Sequence, residues 1–149
     1  PFNMALHRKA TAAWSGTGKE GSGHISSTSG ALNGIPHSFL TRFENEDGKA
    51  GTNPEELIAA AHASCFTMKL SFVLGAAGFT AEKLVCTATV TMDKVGAGMG
   101  VTGIHLELVG AVPGIDAARF QACAEEAKTG CPISQLLKSV PITLSAKLA

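Results

Sequence analysis

The first 43 residues carry three segments with the composition and spacing of β-strands, at 8–14, 24–29 and 38–43. Glycine-containing turns separate them, and the second of these turns, Asn33-Gly34, is a strong hairpin signal. The polar stretch 44–51 follows as a loop. The pattern therefore predicts three strands before the first long helix.

A long apolar segment, residues 57–77, follows a typical helix start. Residues 53–56, Asn-Pro-Glu-Glu, supply a capping side chain, a proline at the first helical position and two acids that suit the positive end of the helix dipole. The polar interruptions within the segment are His62, Ser64, Thr67, Lys69 and Ser71. A helix that is apolar on almost every side is typical of a buried element, so the pattern predicts a buried central helix that ends at Gly78.

The rest of the chain predicts a hairpin, a second helix and a last strand. Residues 84–93 alternate between apolar and polar, and a Gly-rich turn leads to a second strand at 101–112. Asp116 is placed to cap a helix whose apolar stripe is Phe120, Cys123, Ala124 and Ala127. The last strand spans 142–148. Strands and helices cluster rather than alternate, which predicts an α+β fold with antiparallel sheet and not a parallel βαβ fold.

Composition places the chain among folded proteins of one domain. Its 149 residues are the length of one domain, and a content of 45% hydrophobic residues excludes disorder. Only 16% of the residues are charged, against roughly 25% in an ordinary soluble domain, which indicates a large hidden surface such as a homodimer interface. We expect Pro1 to Asn3 to be a cloning remnant and 4–149 to form a single domain.

Charge and hydropathy argue against two classes of partner. Twelve Lys and Arg balance twelve Asp and Glu without a basic block, so we expect no nucleic-acid binding. No apolar run approaches the ~20 residues that span a bilayer, and residues 1–9 lack the apolar core of a signal peptide, so we expect no membrane contact and a cytoplasmic location. In a reducing cytoplasm the four cysteines are buried side chains or reactive thiols rather than a structural disulfide framework.

Cys65 and Cys131 are the candidate reactive thiols. Cys65 lies in the middle of the apolar helix, where an isolated cysteine is usually core packing. Cys131 starts a helical turn, before Pro132, where free backbone N–H groups and the helix dipole favour a thiolate. Two thiols on separate elements suit a peroxidatic and a resolving cysteine, although spacing alone leaves core packing open. Cys86 and Cys123 lie on apolar faces and are interpreted as core.

Other roles for these residues stay open from the sequence alone. His62 lies three residues before Cys65, which permits the Cys-His nucleophile of a hydrolase or acyl transferase, or a histidine that is satisfied locally. A dimeric binding module whose cysteines only pack is the non-enzymatic alternative. The other histidines are scattered singly along the chain: His7, His24, His37 and His105. We therefore expect no metal site, and no cofactor.

Three segments together resemble the signatures of the OsmC and organic-hydroperoxide-resistance proteins, with the OsmC branch the closer of the two. They are GTNPEELIAAAHASCF at 51–66, VPGID at 112–116 and GCPIS at 130–134. The resemblance covers essentially the whole chain after Met4. It implies an OsmC-like fold, in which antiparallel sheets from both chains of an intertwined homodimer wrap two long central helices.

The resemblance also implies a thiol peroxidase that acts in oxidative and osmotic stress defence. Cys65 matches the family's peroxidatic cysteine, Cys131 its resolving cysteine, and Glu55 the acid that orients an active-site arginine, for which Arg42 is the best match. The implied reaction reduces organic hydroperoxides and ends in a Cys65–Cys131 disulfide. An external dithiol, often of the lipoyl type, would reopen that disulfide.

Physical chemistry adds one requirement to this assignment. A cysteine in the middle of an apolar helix has its pKa raised by desolvation, which disfavours the nucleophilic thiolate, so a cation must compensate. Arg42 is the expected cation. The apolar helix surface around Phe66 and Leu70 is expected to accept the alkyl tail of a substrate.

Overall fold

The computed structural model describes residues 4–149, so the expected remnant Pro1 to Asn3 lies outside the described part of the chain. The chain divides into two compact units, one up to Pro54 and one from Glu55 to Ala149. The expectation that residues 4–149 form a single domain stays a prediction.

The first unit contains a three-stranded antiparallel sheet. Its strands, in the spatial order β1-β2-β3, are β1 (Ala10–Ser15), β2 (Ser22–Ser27) and β3 (Ile35–Ser38). The first two predicted strands are confirmed, with bounds that differ by a few residues. Asn33-Gly34 lies in the longer connection 28–34 between β2 and β3 rather than in a two-residue hairpin turn.

Residues 38–43, predicted as a strand, are mostly the short helix α1 (Phe39–Phe43). Ser38 begins the helix through a reciprocal capping box. Its Oγ accepts the Thr41 N–H at 3.3 Å, and Thr41 Oγ1 accepts the Ser38 N–H at 3.0 Å. The strand prediction is wrong here because these side-chain bonds satisfy N–H groups that are unpaired at a helix start.

Helix α2 (Pro54–Ala76) confirms the predicted central helix and its start, with acidic side chains in the first turn. Its buried residues lie on one face: His62, Phe66, Leu70, Val73 and Leu74. Elsewhere on the helix Met68 is 62% exposed and Phe72 is 70% exposed. The prediction of a helix buried on every side is therefore wrong for a single chain.

By length and composition α2 is apolar enough to cross a membrane, which the sequence analysis did not recognise. Its large buried apolar side chains, Phe66, Leu70, Val73 and Leu74, instead belong to the hydrophobic core of the second unit. The core helix of a soluble protein meets the same criteria of length and hydropathy, and 28% of the apolar stretch of α2 is buried in the single chain.

Three strands and two further helices complete the second unit. β4 (Lys83–Val95) and β5 (Gly98–Ala111) form the predicted antiparallel hairpin. α3 (Ala117–Gly130) and α4 (Pro132–Leu136) follow, and β6 (Ile142–Leu148) pairs with β5 in parallel. β6 departs from the predicted antiparallel sheet, because the two helices return the chain to the middle of β5, where Ile142 lies opposite Ile104 and the strands run in parallel.

The core of the second unit is formed by one face of this sheet and by the buried faces of α2 and α3. The predicted cap and stripe of α3 are confirmed. Asp116 Oδ1 accepts the Arg119 N–H at 2.7 Å, and the buried residues are Phe120, Cys123, Ala124 and Ala127. Gly110 on β5 allows the close approach of this helix, since an added Cβ there would lie 2.6 Å from Phe120 Cζ.

Candidate active site

The sulfur atoms of Cys65 and Cys131 meet in the second unit. The Cys131 thiol donates to Cys65 Sγ at a sulfur–sulfur distance of 2.8 Å, and both cysteines are free thiols. Cys65 is half-buried on α2, whereas Cys131 is fully buried with 0% of its surface exposed. The two candidate thiols are thus brought into direct contact, with one accessible and one enclosed.

Cys131 is held at the junction of two helices. Its N–H donates to Ala127 O at 2.9 Å and closes α3, while its carbonyl accepts the Gln135 N–H at 3.0 Å and opens α4. Pro132 occupies the first position of α4 and lacks an N–H, which suits a helix start. These bonds fix the backbone that carries the Cys131 sulfur and so fix the direction in which it points.

Burial and the neighbouring thiol raise the pKa of Cys65. Burial is the larger cause, and the hydrogen bond with Cys131 acts in the same direction. A hydrogen bond with the Ile133 backbone and the charge of Lys69 act the other way. The free N–H groups at the start of α4 were predicted to act on Cys131, but the first such group, that of Ile133, bonds to Cys65.

His62 and Ser134 form a second link between α2 and α4. His62 Nε2 and Ser134 Oγ are 2.7 Å apart, and both residues are buried. Burial lowers the pKa of His62, which keeps the imidazole neutral. Its Nδ1 is buried without a hydrogen-bond partner among the described residues. The imidazole therefore bonds to Ser134 rather than to Cys65, which disfavours the Cys-His nucleophile of a hydrolase.

We predict that Ser134→Ala destabilises the protein by roughly 1–3 kcal/mol, because it leaves a buried imidazole with no partner at Nε2 either. Chemical denaturation of the reduced protein measures the loss. The matched control is Ser139→Ala, which removes the same hydroxyl from an exposed position just after α4. Equal stability of the two variants would contradict the proposed energetic role of the His62–Ser134 bond.

Comparison with known proteins identifies the family. A family model described as OsmC-like protein matches residues 46–145. The chain belongs to the OsmC family. It is 52% identical over 145 residues to peroxiredoxin OsmC of Escherichia coli K12, a match that covers 97% of this chain and 99% of that protein. The predicted membership of this family is therefore confirmed.

A second sequence relative and a solved structure extend the comparison. The organic hydroperoxide resistance protein of Xanthomonas axonopodis pv. citri is 37% identical over 102 residues, which cover 66% of this chain and 68% of that protein. The crystal structure of an organic hydroperoxide resistance protein from Elizabethkingia anophelis is similar with a TM-score of 0.71 and 24% identity, covering 99% of both chains. The structural match confirms the predicted OsmC-like fold.

The two remaining residues that the OsmC resemblance assigned to the site lie apart from the sulfur pair along the chain. Arg42 belongs to the first unit, where its guanidinium Cζ lies 5.1 Å from the centre of the Phe43 ring. It lines a cavity of about 290 Å³ together with Trp14 and His37. Glu55 stands in the first turn of α2, ten residues before Cys65 and about 15 Å from it along the helix axis.

The expected binding surface for an alkyl tail is corrected by the structure. Phe66 and Leu70 are completely buried in the core, so they offer no surface to a substrate. The same hydrophobic periodicity that placed them beside Cys65 on the helix also places them against the sheet.

Among the described residues 4–149, no cluster of three or more His, Cys, Asp or Glu side chains could hold a metal ion.

Three residues near the sulfur pair were missed by the sequence analysis: Lys69, Ile133 and Ser134. Ser134 lies three residues after Cys131, and His62 lies three residues before Cys65, so each is one helical turn from a cysteine. That spacing was the available signal. It becomes informative only when α2 and α4 are known to be neighbours, which the local sequence pattern does not reveal.

Proposed function

We propose that this protein is a cysteine-based peroxidase that reduces organic hydroperoxides in defence against oxidative and osmotic stress. The observation that carries the proposal is the contact between Cys65 and Cys131 at 2.8 Å. The names of its relatives, peroxiredoxin OsmC and organic hydroperoxide resistance protein, support the reaction class and the class of substrate. The contact favours this reading over a binding module, whose cysteines would need no such arrangement.

The half-buried Cys65 would react first, because Cys131 has no exposed surface. Its thiolate attacks one oxygen of the hydroperoxide, so a sulfur–oxygen bond forms and the oxygen–oxygen bond breaks. The alkoxide leaves and takes up a proton to become the alcohol, and Cys65 becomes a sulfenic acid. Cys131 then attacks the Cys65 sulfur, and the disulfide forms as water leaves.

An external dithiol, such as one of the lipoyl type, would reduce the disulfide and close the cycle. The reaction needs both thiols reduced at its start, which suits the reducing cytoplasm in which we place the protein. Arg42 is proposed as the cation that favours the Cys65 thiolate and donates to the leaving oxygen. Glu55 is proposed to orient that arginine.

The active protein is proposed to be a homodimer of a single OsmC-like domain that spans both units. Met68 and Phe72 leave large apolar side chains exposed on α2. Such side chains on a long central helix favour burial against a second copy of the chain. The low charged fraction, 16% of all residues, agrees with a surface that is covered in the assembly.

One thiol titration tests the proposed function. After one equivalent of cumene hydroperoxide, we expect the four thiols of the reduced protein to fall to two, because one disulfide consumes two thiols. Cys86→Ser is the control, since Cys86 lies on the core side of β4 and should leave the loss at two of three thiols. A protein that keeps all four thiols after peroxide would be a binding module or a hydrolase instead.

A further inference from the structure

Lys69 is the one Lys, Arg, Asp or Glu of helix α2 beyond its acidic first turn. It lies four residues after Cys65, so the two side chains project from the same face of the helix one turn apart. Lys69 is half-buried, whereas Lys83 and Lys147 on the strands are exposed. Lysine side chains are mostly exposed in folded proteins, and the proposed peroxidase mechanism assigns no role to this half-buried one.

The end of the Lys69 side chain lies over Gly130. A Cβ at position 130 would come within 3.0 Å of Lys69 Cε and 3.7 Å of its Nζ. Glycine therefore leaves the space that the lysine occupies. Gly130 immediately precedes Cys131, whose thiol donates to Cys65, so the ammonium lies near the junction of α3 and α4 that carries the Cys131 sulfur.

Several other ionisable groups lie on the helices around Lys69. On α3 they include Glu126, which lines a cavity together with Val73, one turn after Lys69 on α2. On α2, burial lowers the pKa of His62 and keeps it neutral. On α3, Lys128 Nζ pairs with Glu125 at 3.0 Å. At the start of α4 the ionisable group is the Cys131 thiol, which donates to Cys65. Within this set the charge of Lys69 acts on Cys65 in the direction that favours ionisation, against the effect of burial.

We propose that Lys69 is a second cation of the active site, whose ammonium stabilises the thiolate of Cys65 before it attacks the peroxide. The inference rests on the proposed function only in taking Cys65 as the reactive thiol. Lys69 acts through its electric field on the sulfur and not as a catalytic residue. It thereby supplies positive charge from the same helix as the nucleophile, whereas Arg42 belongs to the first unit.

A purely structural role for Lys69 makes a different prediction. Its ammonium lies near the last residue of α3, where a cation stabilises the negative end of the helix dipole. In that case Lys69→Met would lower the thermal stability and leave the ionisation of Cys65 unchanged. Alkylation of the reduced protein by iodoacetamide, followed at the Cys65 peptide by mass spectrometry across pH, separates the two roles without any peroxide.

We expect Lys69→Met to move the midpoint of Cys65 alkylation upward by about half a pH unit, which is a roughly threefold loss of thiolate below the midpoint. Lys69→Arg should keep the wild-type midpoint of Cys65 alkylation, because it keeps the positive charge. Lys147→Met, which removes an exposed lysine from β6, should not move it.

An unchanged midpoint in Lys69→Met, or an equal shift in Lys147→Met, would overturn the inference, because the charge at position 69 would then have no specific effect. If Lys69→Met does not fold, Lys69→Gln provides the same comparison with a polar side chain. Loss of the proposed function would appear separately, as four thiols retained after cumene hydroperoxide.

Discussion

Cys65→Ser is expected to reduce peroxide consumption to the rate of the solution without protein. A serine hydroxyl in this half-buried position stays protonated, so the variant lacks the nucleophile that forms the bond to oxygen. A peroxide assay with excess dithiol measures the loss. The fold should be retained, because oxygen replaces sulfur with little change of shape.

Cys131→Ser should behave differently, since it keeps the nucleophile and removes the thiol that closes the disulfide. We expect one oxidation per chain, which stalls at the sulfenic acid or proceeds to the sulfinic acid, and the mass of the intact protein shows which. Cys86→Ser is the control and should retain full turnover. Full turnover of Cys131→Ser with a dithiol would remove Cys131 from the mechanism.

A mixed dimer of Glu55→Ala and Cys65→Ser chains is expected to recover about half of the wild-type activity. Glu55 and Cys65 are about 15 Å apart along α2, and an arginine side chain spans only about half of that distance. If two copies of α2 pack antiparallel across a twofold axis, Glu55 of one chain lies beside Cys65 of its partner. The mixed dimer then contains one complete site.

The reciprocal pairing provides the control for this experiment. A wild-type chain paired with a Glu55→Ala/Cys65→Ser double variant has no complete site if sites are shared, and one complete site if each chain is self-contained. Different affinity tags on the two chains allow the mixed species to be purified. Light scattering should give the mass of two 15.2 kDa chains. A monomer, or a mixed dimer without activity, would contradict shared sites.

The parts of the fold that the sequence predicted well are those set by local pattern. The acidic start of α2, the alternation along β4 and the buried stripe of α3 each depend on residues within a few turns of one another. The failures depend on distant partners. β6 is parallel because of where α3 and α4 return the chain, and no pattern within 142–148 encodes that direction.

The candidate site divides in the same way. Cys65 and Cys131 were selected from their motifs, and the structure places their sulfur atoms in contact. The bond between His62 and Ser134 could not be predicted, because it joins residues 72 positions apart through packing of α2 against α4. The exposed Phe72 was also missed, since composition reports that a helix is apolar but not how many of its faces a single chain covers.

The complete burial of Cys131 also determines how the proposed disulfide can be reopened. An incoming thiolate must approach a sulfur atom in line with the bond that it breaks, and Cys131 has no exposed surface from which that approach could begin. The reductant would therefore attack Cys65 and form its mixed disulfide there, with Cys131 as the leaving group. Release of that leaving group would restore the thiol at the junction of α3 and α4, and the second thiol of the dithiol would then release Cys65 as the reductant becomes a disulfide. The burial of Cys131 would thus make regeneration regioselective.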